Sequence, residues 1–318
     1  MGVFVFLPLV LPLTAWPVAR LAEQHLHPRS ATRLLAGVAA VLAVCSTLCL
    51  ALIMVVGTAQ LPGNPLPDGW SDPEVRAAVP YDEIVGRAAI PALAAVAVAG
   101  VRTLWRHLRV RRRAARALAG LPGSRVAVLP DGVPYAYALP ARRPGRGRIV
   151  VSTAMLDRLD SRERRALFAH ERAHLTGRHH RYLLAVQLAA RANPFLLPLR
   201  TATEFCTERW ADEEAAQAVG DRRVTARAVG KAALITRHAP MAGPAGLAGL
   251  ASFAAPGPVP RRVAALLRSG PPVRGWPPAL TPAGIATLVA AAGTLASALS
   301  SVNAAVALFL VLQAATPL

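Results

Sequence analysis

The run Ala169-His170-Glu171-Arg172-Ala173-His174 holds residue types and a spacing suited to zinc hydrolysis chemistry. Side chains four apart lie on one face of a helix, so the imidazoles of His170 and His174 can converge on one ion. Glu171, adjacent to a ligand, can accept a proton from water that a catalytic zinc has acidified, and so act as general base. Such a zinc takes three protein ligands and keeps one position open, so a third ligand must come from elsewhere.

Two stretches offer it. His180, with Gly177, completes the longer pattern His-Glu-x-x-His-x-x-Gly-x-x-His. That pattern needs the chain to turn back at Gly177, whereas Arg181 to Ala192 continues with helical apolar spacing. The one methionine downstream of it is Met241, beside Pro240, and makes no convincing turn. Arg178 and Arg181 also surround His179 and His180 with positive charge, which disfavours a cation. The second stretch, Thr203 to Gln217 (TEFCTERWADEEAAQ), places Glu208 and Asp212 four apart on one helix face. Glu208 is the expected third ligand. Asp212 is expected to accept the N–H of a ligand histidine and fix its tautomer. Glu204, one turn earlier, is the substitute on that face. An ordinary acidic helix explains this stretch less well, because the chain has only 17 acidic residues and five fall between 204 and 214.

The elements that must position these residues are also readable. Asp160 and Glu163 form a capping box ahead of Ala166, Leu167, Ala169, Ala173 and Leu175, so a helix is expected from about Ser161. Three short strands precede it, over Ser124 to Leu129, Pro134 to Leu139 and Arg148 to Ser152, with a polar turn at 141–147 between the last two.

The rest of the chain reads as membrane. Of its 318 residues, 54% are hydrophobic and 17% charged, and mean hydropathy is +0.39. Apolar stretches at about 3–18, 34–56 and 88–105 are candidate spans. The stretch 279–318 is expected to hold one helix, about 285–312, with a re-entrant pair as the other option. Arg20, Arg29 and Arg33 occupy the first loop. The second loop, 58–87, is acidic through Asp68, Asp72, Glu74, Asp82 and Glu83, and a run from Arg102 to Arg116 follows the third span. The positive-inside rule then places the N-terminus and second loop outside and the following segment in the cytosol. Residues 1–117 are expected to hold three transmembrane helices and a basic juxtamembrane segment. Residues 118–275 are expected to form a cytosolic domain that carries the zinc chemistry, and 276–318 the C-terminal transmembrane helix. Proline and glycine cluster at 240–260 and at 270–278, the second cluster a linker. The net charge of +19 does not argue for nucleic acid as a direct partner. Lys231 is the only lysine, and much of the excess flanks the spans, where the lipid bilayer is the expected partner. Cys45, Cys49 and Cys206 give no disulfide framework and no zinc clip.

His170-Glu171-Arg172-Ala173-His174 followed by Glu208-Arg209-Trp210-Ala211-Asp212, between membrane segments, resembles the membrane zinc endopeptidases, a gluzincin group that includes the heat-shock membrane protease and the prenyl-protein protease. Tyr135 to Ala138, Arg148 to Ser152 and Arg178-His179-His180 carry the resemblance further, towards the β-lactam-sensing transducers, whose peptidase domain acts on or towards a repressor. It covers about residues 120–270 and the anchoring plan. It implies that Arg148 to Ser152 is an edge strand on which extended substrate lies. It also implies that Arg262, in Arg262-Val263-Ala264-Ala265-Leu266, supports the site or the developing oxyanion. The sequence departs from the pattern where a histidine often precedes that arginine, where His179 stands in place of a frequent aspartate, and in having no sensor domain expected after the last span. Sensing would then fall to the outer loop, the spans or a partner.

The expected fold class is mainly α: transmembrane helices plus a cytosolic zincin-like α+β peptidase domain with a small edge sheet. The expected function is a multi-pass cell-membrane zinc metalloendopeptidase that holds one zinc per chain. Its expected substrate is a protein, either a winged-helix repressor in a signalling circuit or a damaged membrane protein. The alternative is a non-catalytic transducer that uses the same fold to bind a repressor or membrane partner.

Overall fold

The computed structural model describes residues 5–77, 82–118, 124–141, 147–237, 259–271 and 276–316, without the side chains of 82, 83 and 282. Met241, most of the 240–260 run, most of the 141–147 turn and residues 272–275 of the expected linker lie outside the described residues.

The chain opens with a short helix α1 (Leu7–Val10), a 3-10 turn (Leu11–Thr14) and helix α2 (Ala15–His25). This stretch was expected to form one span over 3–18, and it is not one helix. Pro8, Pro12 and Pro17 each lack an N–H and crowd the preceding turn, which splits the helix into short pieces. The pieces nonetheless run antiparallel to helix α3 (Pro28–Ala59). Val5 shares a core cluster with Ile53 and Val56, near the far end of α3. Ala19, Ala22 and Leu26 share another with Ala31 and Leu35, near its start. After α4 (Pro73–Ala77) comes α5 (Asp82–Ala117). A Cβ on Gly57 of α3 would collide with the backbone of Gly86 on α5, and one on Gly86 would meet Gly57, so two bare backbones set this crossing. Among the described residues three helices are long and apolar enough to cross a membrane: α3, α5 from Ile84, and the C-terminal helix from Ala283 to Ala314. The 36 residues of α5 rise ~54 Å at ~1.5 Å each, against a hydrocarbon core of ~30 Å. Its arginine-rich end therefore projects past a bilayer. There Ala114 and Leu118 pack with Tyr135, Tyr137, Leu139 and Val150 on one face of the sheet.

That sheet has strands β1 (Val126–Leu129), β2 (Ala136–Leu139) and β3 (Arg148–Ser152) in the order β1-β3-β2. β3 pairs parallel with β1 and antiparallel with β2. The expectation of β3 as the edge strand is overturned: it is central. Four of its five residues are buried, Ile149 to Ser152, as suits a strand covered on both faces. β2 is the edge strand that contacts the helix bearing His170.

The helices that follow are α6 (Thr153–Asp157), α7 (Ser161–Thr176), α8 (His179–Ala192), α9 (Leu197–Val219), α10 (Arg222–Arg237), α11 (Val259–Leu267) and α12 (Pro282–Ala314). α12 is a single helix across the stretch for which a re-entrant pair was the other option. Ala166 and Leu167 of α7 cluster with Ala136 and Val151 of the sheet, Val229 of α10 and Leu266 of α11. Val186 and Ala189 of α8 and Leu199 and Ala202 of α9 cluster with Ala31, Leu35 and Leu42 of α3. Helix α9, which carries Glu208 and Asp212, thus shares a core with α3, one of the helices long and apolar enough to cross a membrane.

Candidate metal centre

The capping box fixes where α7 begins. Asp160 accepts from the N–H groups of Arg162 (2.9 Å) and Glu163 (2.8 Å), and the Glu163 carboxylate returns to the Asp160 N–H at 2.9 Å. From that start, His170, Glu171 and His174 fall on the buried side of the helix. α9 packs against α7 and brings Glu208 and Asp212 to the same place.

His170, His174 and Glu208 form a group able to hold a metal ion. Nε2 of His170 and Nε2 of His174 are 3.1 Å apart. Each lies 3.5 Å from an oxygen of Glu208. Donors around a tetrahedral zinc, at ~2.0–2.1 Å from it, sit ~3.3 Å from one another. The observed triangle matches that spacing, and its two nitrogens and one carboxylate are a donor set zinc accepts. His180, the rival third ligand, is not in the group, and Glu204 is engaged with Arg200 at 2.8 Å.

Behind the triangle lies a second layer. Asp212 Oδ1 is 3.1 Å from Nδ1 of His170. Arg262, brought in by α11 and 1% exposed, donates Nε and Nη2 to Asp212 at 2.8 and 2.7 Å, and its Nη1 lies 3.1 Å from Glu208. The Arg262 guanidinium is thus turned onto the carboxylates of Asp212 and Glu208.

Burial alone would lower the pKa of His170, but hydrogen bonds and charge from Asp212 and Glu208 outweigh it and push it up to about 9. His174 is lowered well below its ordinary value, chiefly by burial. Burial raises Glu208 and Asp212, yet the Arg262 guanidinium and the histidines bring both below the usual carboxylate range. Glu171 is pushed up to about 7 by burial, with the charge of Glu208 adding to it. Neither of its buried oxygens has a hydrogen-bond partner among the described residues. The Ala138 N–H of β2 bears on this carboxylate and favours its charged form.

Sequence reasoning noted His179 only as standing where the resembled family often has an aspartate and gave it no role at the site. α7 stops at Gly177, Arg178 adopts the left-handed conformation (φ 52), and α8 starts at His179. The His179 ring turns back so that its Nδ1 is 2.8 Å from Nδ1 of His174. The signal available was Gly177 itself; the flanking arginines pointed the other way.

Part of this chain is similar to known proteins. Residues 101–202 match the model of peptidase family M48. A stretch of 72 residues is 39% identical to a protein described as "Protease HtpX homolog" from Moorella thermoacetica. That alignment covers 23% of this chain and 23% of the relative. No solved structure matches the chain. The M48 similarity includes the end of α5, the sheet, α7 and α8, and stops before Glu208, Asp212 and Arg262. The third ligand therefore rests on geometry.

Proposed function

We propose that this chain is a membrane zinc metalloendopeptidase of the HtpX kind, working at the cytosolic face of the cell membrane. The observation that carries the reading is the triangle of two buried histidines, His170 and His174, and the partly exposed Glu208, with the buried Glu171 carboxylate beside it. The M48 similarity and the three long apolar helices support it, and the arginine asymmetry supports the sidedness.

When bound, zinc supplies Lewis acidity to the scissile carbonyl and lowers the pKa of water at the site. His170, His174 and Glu208 would hold it, and Asp212 and Arg262 would orient His170 and Glu208. Glu171 takes a proton from water as the water oxygen adds to the carbonyl carbon. It then delivers that proton to the amide nitrogen as the C–N bond breaks, leaving an acid and an amine. The substrate is a protein in extended form. Ser152 donates its N–H to the Tyr135 carbonyl at 3.0 Å, so the alternation of an antiparallel pair turns the N–H and C=O of Ala136 and Ala138 away from β3. An extended peptide would pair with that outward side of β2 beside Glu171, competing for the Ala138 N–H that bears on the Glu171 carboxylate.

The test is cleavage of casein, or self-cleavage, by the detergent-purified chain. Glu171→Gln should retain metal and lose at least ~100-fold in rate. Equal rates for the two proteins would overturn the assignment. Comparing the proteomes of cells that carry each form then identifies the substrate. A repressor among the cleaved proteins places the enzyme in a signalling circuit, and damaged membrane proteins place it in quality control.

A further inference from the structure

His179 lies outside the three-ligand set, yet it is 1% exposed and its Nδ1 is 2.8 Å from Nδ1 of His174. Two imidazole nitrogens at this distance share one hydrogen, so one ring donates and the other accepts. Nε2 of His174 faces the metal group, 3.5 Å from Glu208. A ligand nitrogen offers its lone pair, so the hydrogen of neutral His174 belongs on Nδ1. His179 must then accept through Nδ1 and carry its own hydrogen on Nε2. That Nε2 has no hydrogen-bond partner among the described residues, and the ring lies against Trp210 with centroids 4.4 Å apart. An indole ring is a tolerable neighbour for such an N–H.

The local backbone is built for this contact. A Cβ on Gly177 would collide with Nε2 and Cδ2 of the His179 ring. Arg178 is the one non-glycine residue with positive φ among the described residues. Such conformations persist where surrounding structure enforces them. The Trp210 ring is itself fixed: its Nε1 donates to Glu214 at 2.7 Å, and the guanidinium carbons of Arg29 and Arg33 lie 5.4 and 5.7 Å from its centroid. The wall behind His179 is thus held from the first turns of α3.

We propose that His179 is a positioning residue for the metal centre: a neutral imidazole that accepts the Nδ1–H of His174 and so sets that ligand's tautomer and ring orientation. Carboxylates, backbone carbonyls and water commonly fill this role. Here a second histidine fills it without adding a negative charge to a site that already holds Glu208, Asp212 and Glu171. The proposal rests on the zinc reading above.

The test is zinc affinity of the full-length purified chain, measured by competition with a chromophoric chelator, alongside melting of the metal-free protein. His179→Phe keeps a ring against Trp210 but cannot accept a hydrogen bond, and should weaken zinc binding ~10–100-fold. His179→Asn offers an amide oxygen in the same region and should recover most of that loss. Gly177→Ala, which displaces the ring without touching any ligand, should weaken binding in the same direction and serves if the Phe variant does not fold. Zinc affinity of His179→Phe equal to wild type overturns the proposal. So does an Asn variant as weak as the Phe variant, which would make the role one of packing. For Gly177→Ala, unchanged affinity likewise counts against it. His174→Ala separates the two levels. If that variant binds zinc like wild type, the zinc reading itself falls; if it loses zinc while the His179 and Gly177 variants do not, only the positioning role falls.

Discussion

Arg262 offers no ligand atom, yet it holds two carboxylates of the site in place from a fully buried position. Removing one partner of a buried ionic group leaves the others uncompensated, so Arg262→Ala should lose about 3–5 kcal/mol of stability. Chemical unfolding of the metal-free protein in detergent measures this. Arg262→Lys should rescue little, because an ammonium cannot reproduce the two-pronged contact with Asp212. At this scale the site was legible where chemistry follows helical spacing. His170 and His174, and Glu208 and Asp212, are pairs four apart, and such pairs share a face wherever the helix lies. The contact His179 makes with His174 was not legible. It depends on the left-handed backbone at Arg178, which no periodicity announces.

Among the elements, α7 is tied down at its start. Asp160→Ala removes the cap and should lower the midpoint of chemical unfolding. Glu163 is 1% exposed and accepts from Arg227 at 3.0 Å and Lys231 at 2.9 Å on α10. Burial raises its pKa, but the Asp160 N–H and these two cations outweigh burial and hold it below the ordinary value. The folded pKa is then below the unfolded one. The stability this provides is fully present above the unfolded value of ~4.3 and is lost as pH falls through the folded value. Melting temperature followed from neutral pH into acid should decline through that window, and Glu163→Gln should decline less steeply there. The capping box was readable because its partners are three residues apart. The three strands were readable from their β-branched and aromatic runs. Their order was not, since β3 becomes central only through pairings with segments on both sides of it.

For the molecule as a whole, the membrane arrangement follows from hydropathy at α3, α5 and α12, each longer than the apolar stretch that marked it. The proline-broken N-terminal stretch is the exception, because apolar content reports where a segment can reside and prolines decide whether it stays one helix. Gly86→Leu should disrupt the α3–α5 crossing, read as a lower melting temperature in detergent, since a side chain there meets the backbone of Gly57. Sidedness can be read with an impermeant thiol reagent on Asp68→Cys and Arg223→Cys, because Cys45, Cys49 and Cys206 are buried. Asp68→Cys should label in intact cells and Arg223→Cys only after permeabilisation; the reverse pattern would invert the topology. The most direct measurement is the zinc content of the purified protein and its single-ligand variants. One zinc per chain is expected for wild type and for His180→Ala, with loss in His174→Ala and Glu208→Ala. A full equivalent retained by Glu208→Ala would contradict the metal centre described above.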